Sequence, residues 1–141
     1  MSDRMLILEQ VTVQAGEFVL SPFSLEIGEG ECVALMGPSG CGKTTLLETV
    51  CGLRDGPVGG RIFLGGIEVT NLPPGARGIG LVPQDVALFP SLTVREQMEF
   101  GLKLHDWKLE EIKERVRNLA GDLGLEGLLS RLPKGLSGGE A

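Results

Sequence analysis

Between residues 5 and 27 apolar positions recur in short runs. Leu6, Leu8, Val11 and Val13 fall in the first, Phe18 and Leu20 in the second, and Phe23, Leu25 and Ile27 in the third. A period of two predicts half-buried antiparallel strands. Gly28 to Glu31 reads as a turn. Cys32-Val33-Ala34-Leu35-Met36 is apolar without alternation, which predicts a strand buried on both faces of a parallel sheet. Leu46, Leu47, Val50 and Leu53 then fall at helical spacing, predicting a helix from about Lys43 to Leu53 with Gly52 near its end. Arg61–Leu64 and Ile67–Thr70 flank Gly65-Gly66, a hairpin signal. Residues 71–78 read as a loop and Ile79–Val82 as a further short strand. Beyond about Asp85 the strand pattern stops. Thr93–Leu104 reads as a helix, and Lys108–Leu123 is amphipathic, with Leu109, Ile112, Val116, Leu119, Ala120 and Leu123 on one side. The order is β-rich, then α/β, then all-helical.

Composition narrows the function classes. At 141 residues one domain is the prior, and 42% hydrophobic content supplies a core. Glycine is high at 22 residues, without a collagen period. A net charge of −6 and 4% aromatics argue against a nucleic-acid-coating surface, so no nucleic-acid partner is expected. No apolar run approaches the ~20 residues of a membrane span, and the first ten residues carry no secretory leader pattern. Cys32, Cys41 and Cys51 form no CxxC pair, which points to reduced thiols rather than a disulfide framework or zinc site.

The candidate chemistry lies at Gly37-Pro38-Ser39-Gly40-Cys41-Gly42-Lys43-Thr44, which matches G-x-x-x-x-G-K-[ST] between an apolar run and a helical one. Glycines let successive N–H groups turn inward as an anion nest. The helix N-terminus adds partial positive charge. Lys43 can reach the β- and γ-phosphates of a nucleotide, and the Thr44 hydroxyl can ligate Mg²⁺. A chance match in a glycine-rich chain is the plain alternative, and the flanking elements weigh against it. Cys41 is read as a small residue filling the loop.

Two further segments stand in order after the loop. Gly80-Leu81-Val82-Pro83-Gln84-Asp85 leads into Ala87-Leu88-Phe89-Pro90-Ser91-Leu92-Thr93-Val94-Arg95-Glu96, and Leu136-Ser137-Gly138-Gly139-Glu140 stands near the end. Together the three resemble the nucleotide-binding subunit of ATP-binding cassette transporters, importer type, over almost the whole chain. The resemblance implies an α/β fold: a P-loop NTPase core with an N-terminal antiparallel β-subdomain and a helical subdomain, truncated after the signature motif. Residues 1–85 would be the core, with the Walker A loop at 37–44 and the Q-loop at Gln84. Residues 86–141 would be the helical subdomain, ending in the signature motif at 136–140.

Carried over by residue, Gly37, Pro38, Ser39, Gly40, Cys41, Gly42, Lys43, Thr44 and Thr45 would bind ATP. Thr44 and Gln84 would serve Mg²⁺. Lys43 and Gln84 would be the catalytic pair, Gln84 sensing the γ-phosphate. Ser137, Gly138 and Gly139 would contact ATP held by a second copy of the subunit, in a homodimer or heterodimer. Taken singly, Gln84 also fits a solvated loop residue, and Ser137 a helix cap. Transmembrane permease subunits are implied partners, with Leu88 and Phe89 as candidate contacts, or as plain packing under the loop. The implied location is cytoplasmic, peripheral on the inner face of the cell membrane.

The sequence also departs from that pattern. The family's base-stacking aromatic aligns with Ala15, and Phe18 is read as pointing elsewhere, so base selectivity is expected to be loose. Pro83 stands where an aromatic is common, and Glu140 replaces Gln. The second acidic strand, catalytic glutamate and switch histidine are not found. His105, the only histidine, is read as a surface or packing residue. The chain is therefore expected to bind Mg-ATP, to hydrolyse it poorly alone, and to be marginally stable or self-associating. The alternatives are a non-catalytic nucleotide-binding interaction module, a soluble cassette ATPase and, disfavoured by the signature segment, a P-loop kinase.

Overall fold

The structure, a computed structural model, describes residues 4–54, 58–84, 88–137 and 139. Asp85, Ala87, Gly138, Glu140 and Ala141, which belong to segments singled out above, lie outside these residues. The chain forms two compact units, Met1–Val82 and Pro83–Ala141.

The first unit is built on a four-stranded antiparallel sheet of order β2-β1-β3-β4, comprising β1 (Arg4–Ala15), β2 (Phe18–Gly28), β3 (Val58–Leu64) and β4 (Ile67–Glu68). Helix α1 (Lys43–Cys51) contributes Leu46 and Val50, four residues apart on one face, to the core formed by Leu8, Val11, Val13, Ile62 and Val69. The antiparallel strands and the Gly65-Gly66 hairpin match the period-two reading. Gly65 and Gly66 take φ values of 53° and 81°, the left-handed pair of a two-residue hairpin turn.

Strict alternation fails in β2, where the inward positions pass from Leu20 to Phe23, and again inside β1. Leu8 is even-numbered while Val11 and Val13 are odd-numbered, yet all three are buried. A bulge corrects the phase. Register shifts between Leu8 and Val11 against β2, and between Glu9 and Thr12 against β3. Gln10 carries the bend at φ 50°, unusual for a non-glycine residue. The Ser24 hydroxyl oxygen holds it, accepting from the Gln10 backbone N–H at 3.0 Å and its Nε2 at 2.8 Å. Gly60, at φ 80°, faces the bulge; a Cβ there would run into the backbone oxygens of Glu9 and Gln10.

Three expectations are corrected. Cys32–Met36 is not a doubly buried strand: Val33 is 42% and Met36 87% exposed, and only Leu35 packs partly on the core. Ile79–Val82 is not a strand either; Ile79 reaches the core but Val82 is 93% exposed. A parallel strand is held by neighbours brought from afar in sequence, and among the described residues neither segment has a ladder partner. Residues 71–78, read as loop, contain a short helical turn, α2 (Pro74–Arg77), started by consecutive prolines whose fixed φ suits a first turn.

The second unit holds α3 (Val94–Leu104) and α4 (Leu109–Leu123), followed by 3₁₀ turns at Glu126–Leu128 and Pro133–Gly135. Thr93 caps α3 in a reciprocal box. Its hydroxyl accepts from the Glu96 N–H at 3.3 Å, and its own N–H donates to the Glu96 carboxylate at 2.7 Å. Ile112, Val116 and Ala120 of α4 are buried, as the amphipathic pattern requires, while Leu109 and Leu123 at the helix ends are exposed. No helix among the described residues is long and apolar enough to cross a membrane.

Candidate phosphate-binding site

Helix α1 begins without a side-chain cap. Its N-cap is Gly42 in the left-handed conformation, φ 97°, preceded by Gly40 at φ 80°. The Leu46 N–H makes the first intrahelical bond, to the Gly42 carbonyl at 2.8 Å. The N–H groups of Lys43, Thr44 and Thr45 therefore have no carbonyl within the helix, and the first turn carries no acidic side chain to claim them. Unclaimed donors at the positive end of a helix form an anion seat.

Lys43 folds back over the loop. Its ammonium donates to the carbonyls of Gly37 and Pro38, both at 2.8 Å, and lies 3.8 Å from the Cys41 sulfur. Among the described residues neutral oxygens rather than a carboxylate hold the charge, so an arriving anion meets a cation they leave unneutralised. Cys41 is exposed, and its Sγ would stand 2.9 Å from a Cβ on Gly37. Pro38 accepts from the Cys41 N–H at 3.4 Å, and Ser39 is exposed at the turn.

Gly40, Gly42, Lys43, Thr44 and Thr45 share one shallow pocket of about 150 Å³ with Phe18. The expectation that Phe18 points elsewhere is thus corrected. Phe18 begins β2 on the same face as Leu20, and both rest on Gly42, where a Cβ would stand 2.7 Å from the Phe18 ring. That alternation was visible in sequence; its meeting with Gly42 was not. Gly42 must therefore be glycine twice over, for its φ and for the ring above it.

Gln84, Ser137 and Gly139 belong to the second unit, where Gln84 and Ser137 are exposed. Leu88 is half-buried there and Phe89 exposed, its ring 4.8 Å from that of Phe100. The Phe89 N–H donates to the Gln97 side chain at 3.0 Å. His105 ends α3, exposed, its backbone N–H bonding Gly101 and Leu102. A larger cleft of about 580 Å³ opens in this unit on Arg95, Lys113, Arg117, Glu110, Glu114 and Glu126. Its opposed charges offer a phosphate no net field, so the smaller pocket is the better anion site.

Sequence reading passed over Arg77. Its guanidinium donates to the carbonyls of Thr49 (2.9 Å), Val50 (2.8 Å), Thr70 (2.9 Å) and Leu72 (2.8 Å). Burial pushes the nearby Cys51 thiol above its ordinary pKa, with Arg77 working the other way. A lone basic residue in a Pro/Gly-rich stretch gave no signal of this.

Residues 20–141 match the family described as ABC transporter. The chain is 44% identical over 135 residues to the molybdate/tungstate import ATP-binding protein WtpC of Thermococcus kodakarensis, covering 96% of this chain and 41% of that protein. It is 48% identical over 134 residues to the maltose/maltodextrin import ATP-binding protein MalK of Escherichia coli, covering 94% and 36% respectively. The ATP-binding cassette MJ0796, solved as a dimer in a post-hydrolysis state with ADP and Pi, superposes with a TM-score of 0.82 at 32% identity, over 96% of this chain and 65% of that one. The chain thus spans roughly two fifths of the length of these curated relatives. With a P-loop of this geometry and a family match over residues 20–141, the chain belongs to the ABC transporter family, with the α/β fold of its ATP-binding subunits.

Proposed function

We propose that this chain is the nucleotide-binding portion of an ATP-binding subunit that energises solute import across a membrane. The observation that carries the reading is the uncapped start of α1 beneath a lysine whose partners, among the described residues, are loop oxygens and a sulfur. This donor set fits a triphosphate: three open N–H groups, the Lys43 ammonium held over the loop and the exposed Thr44. Mg²⁺, when bound, would neutralise phosphate charge and would be held by the Thr44 hydroxyl, with Gln84 as its second partner. Residues 1–85 act as the core and residues 86–141 as the helical subdomain. Ser137, Gly138 and Gly139 serve the nucleotide of a second copy. Leu88 and Phe89 face a permease subunit, which keeps the chain peripheral on the inner membrane face.

The import reading is supported by relatives whose names describe import ATP-binding proteins. Taken alone, the chain is expected to bind nucleotide better than it turns it over, because the described residues that line the pocket include no carboxylate to act as general base. Calorimetric titration with Mg-ATP tests the reading. Saturable binding should weaken at least about tenfold in Lys43→Ala, as loss of a charge-assisted contact implies. Equal affinity in both proteins would overturn it.

A further inference from the structure

The two ends of α1 are finished differently. Its N-terminal donors lie open toward the phosphate pocket. Its C-terminal acceptors are closed, partly by the helix's own cap and partly from outside, for its last turn has no basic residue. Gly52 and Leu53 return their N–H groups to Thr49 and Glu48 at 3.0 and 2.8 Å. Arg77 takes the carbonyls of Thr49 and Val50, and binds Thr70 and Leu72 with the rest of its fork.

We propose that Arg77 is a positioning residue of the nucleotide site, fixing the far end of α1 and so the direction in which its first-turn N–H groups and Lys43 meet the phosphates. The inference rests on the nucleotide reading above and goes beyond it in assigning a residue outside the loop.

The physical case has three parts. The first is leverage. α1 has nine residues, on the order of 14 Å of helix, so tilt at one end is delivered to the other. Leu46 and Val50 press one face on the core, but apolar contact is not directional and tolerates sliding. The Arg77 fork is directional and ties the helix end to the carbonyls of Thr70 and Leu72.

The second part is room. Gly52, at φ 75°, is the point where a Cβ would stand 2.6 Å from Arg77 Nε and 2.8 Å from Cζ, so a side chain there would displace the guanidinium. The third is charge. A cation at a helix C-terminus complements the dipole whose positive end faces the phosphates. The Pro73-Pro74 start of α2 presets the turn that presents Arg77.

The test measures two quantities on the full chain at low temperature, for the unmodified protein, Arg77→Gln, Arg77→Lys and Lys43→Ala. One is Mg-ATP affinity by calorimetry. The other is amide hydrogen exchange, comparing Leu46–Val50 of α1 with Val11 and Ile62 of the sheet. Arg77→Gln should weaken Mg-ATP about tenfold and speed exchange in α1 about tenfold, leaving the sheet amides unchanged. Arg77→Lys, which keeps charge without the fork, should fall between. Arg77→Gln binding like the unmodified chain would overturn the proposal. So would α1 and sheet amides accelerating together, which is the pattern of a merely structural residue. If Arg77→Gln fails to fold, Arg77→Lys carries the same comparison. If the unmodified chain and Lys43→Ala bind Mg-ATP equally poorly, the nucleotide reading fails. The positioning role then falls with it, and the exchange pattern decides only whether Arg77 fixes the far end of α1: selective loosening shows that it does, and uniform or absent change shows that it does not.

Discussion

The phosphate loop joins two arms of similar apolar character and opposite fate. On its C-terminal side α1 drives Leu46 and Val50 into the core and is closed by Gly52 and Arg77. On its N-terminal side Cys32–Met36 runs without a ladder partner among the described residues, with Met36 almost wholly exposed. The helix satisfies its own backbone, so an apolar stripe suffices to dock it. An extended segment satisfies its backbone only through a neighbour, and apolar content cannot replace that neighbour. The loop is therefore anchored mainly from its helical side, with Leu35 the one contact of the other arm with the core among the described residues.

The sharpest way to break this contrast is to truncate one residue from each kind of region. Leu46→Ala, in the buried face of α1, should cost about 2–5 kcal/mol, whereas Val33→Ala, in the exposed arm, should cost under about 1 kcal/mol. Urea unfolding followed by circular dichroism reads both, and comparable losses would show that the N-terminal arm is packed after all. A smaller effect is expected at the pocket. Phe18→Ala should weaken Mg-ATP binding about fivefold, the order of one aromatic contact, while leaving α1 folded. Unchanged affinity would remove Phe18 from the site.

The smallest effect lies in the second unit, where local chemistry also suffices. Hydrogen bonds from the Thr93 N–H and hydroxyl hold the Glu96 carboxyl below its ordinary pKa of 4.5. A depressed folded value means that the stabilisation is complete above 4.5 and is lost as pH falls through the lower folded value. The melting temperature of the unmodified chain should therefore exceed that of Glu96→Gln at neutral pH by a small margin that closes on acidification. A margin that widens in acid would refute the assignment.

What could be read from sequence follows the same division. The antiparallel strands, the Gly65-Gly66 hairpin, α1 with its glycine stop, and both long helices were legible because each is specified by residues close in the chain. The loop motif was legible because its glycines and Lys43 lie within one short stretch, Gly37 to Lys43. Cys32–Met36 and Ile79–Val82 were misread because a parallel strand is defined by distant partners that no local pattern encodes. Phe18 and Arg77 were missed for a related reason. Each meets its partner, Gly42 for one and the end of α1 for the other, across 24 or more residues, and neither carries a distinctive neighbourhood.

The bulge at Gln10 has a consequence for how this sheet can go wrong. A plain alternating strand can slide by two residues and still present its apolar side inward. β1 cannot, because its apolar positions change phase once, and only the native alignment sets Gly60 opposite the bend and Ser24 beside it. The irregularity works like a key in a keyway: it admits one alignment of the central strand with both neighbours and makes every shifted hairpin a poor template for the next chain.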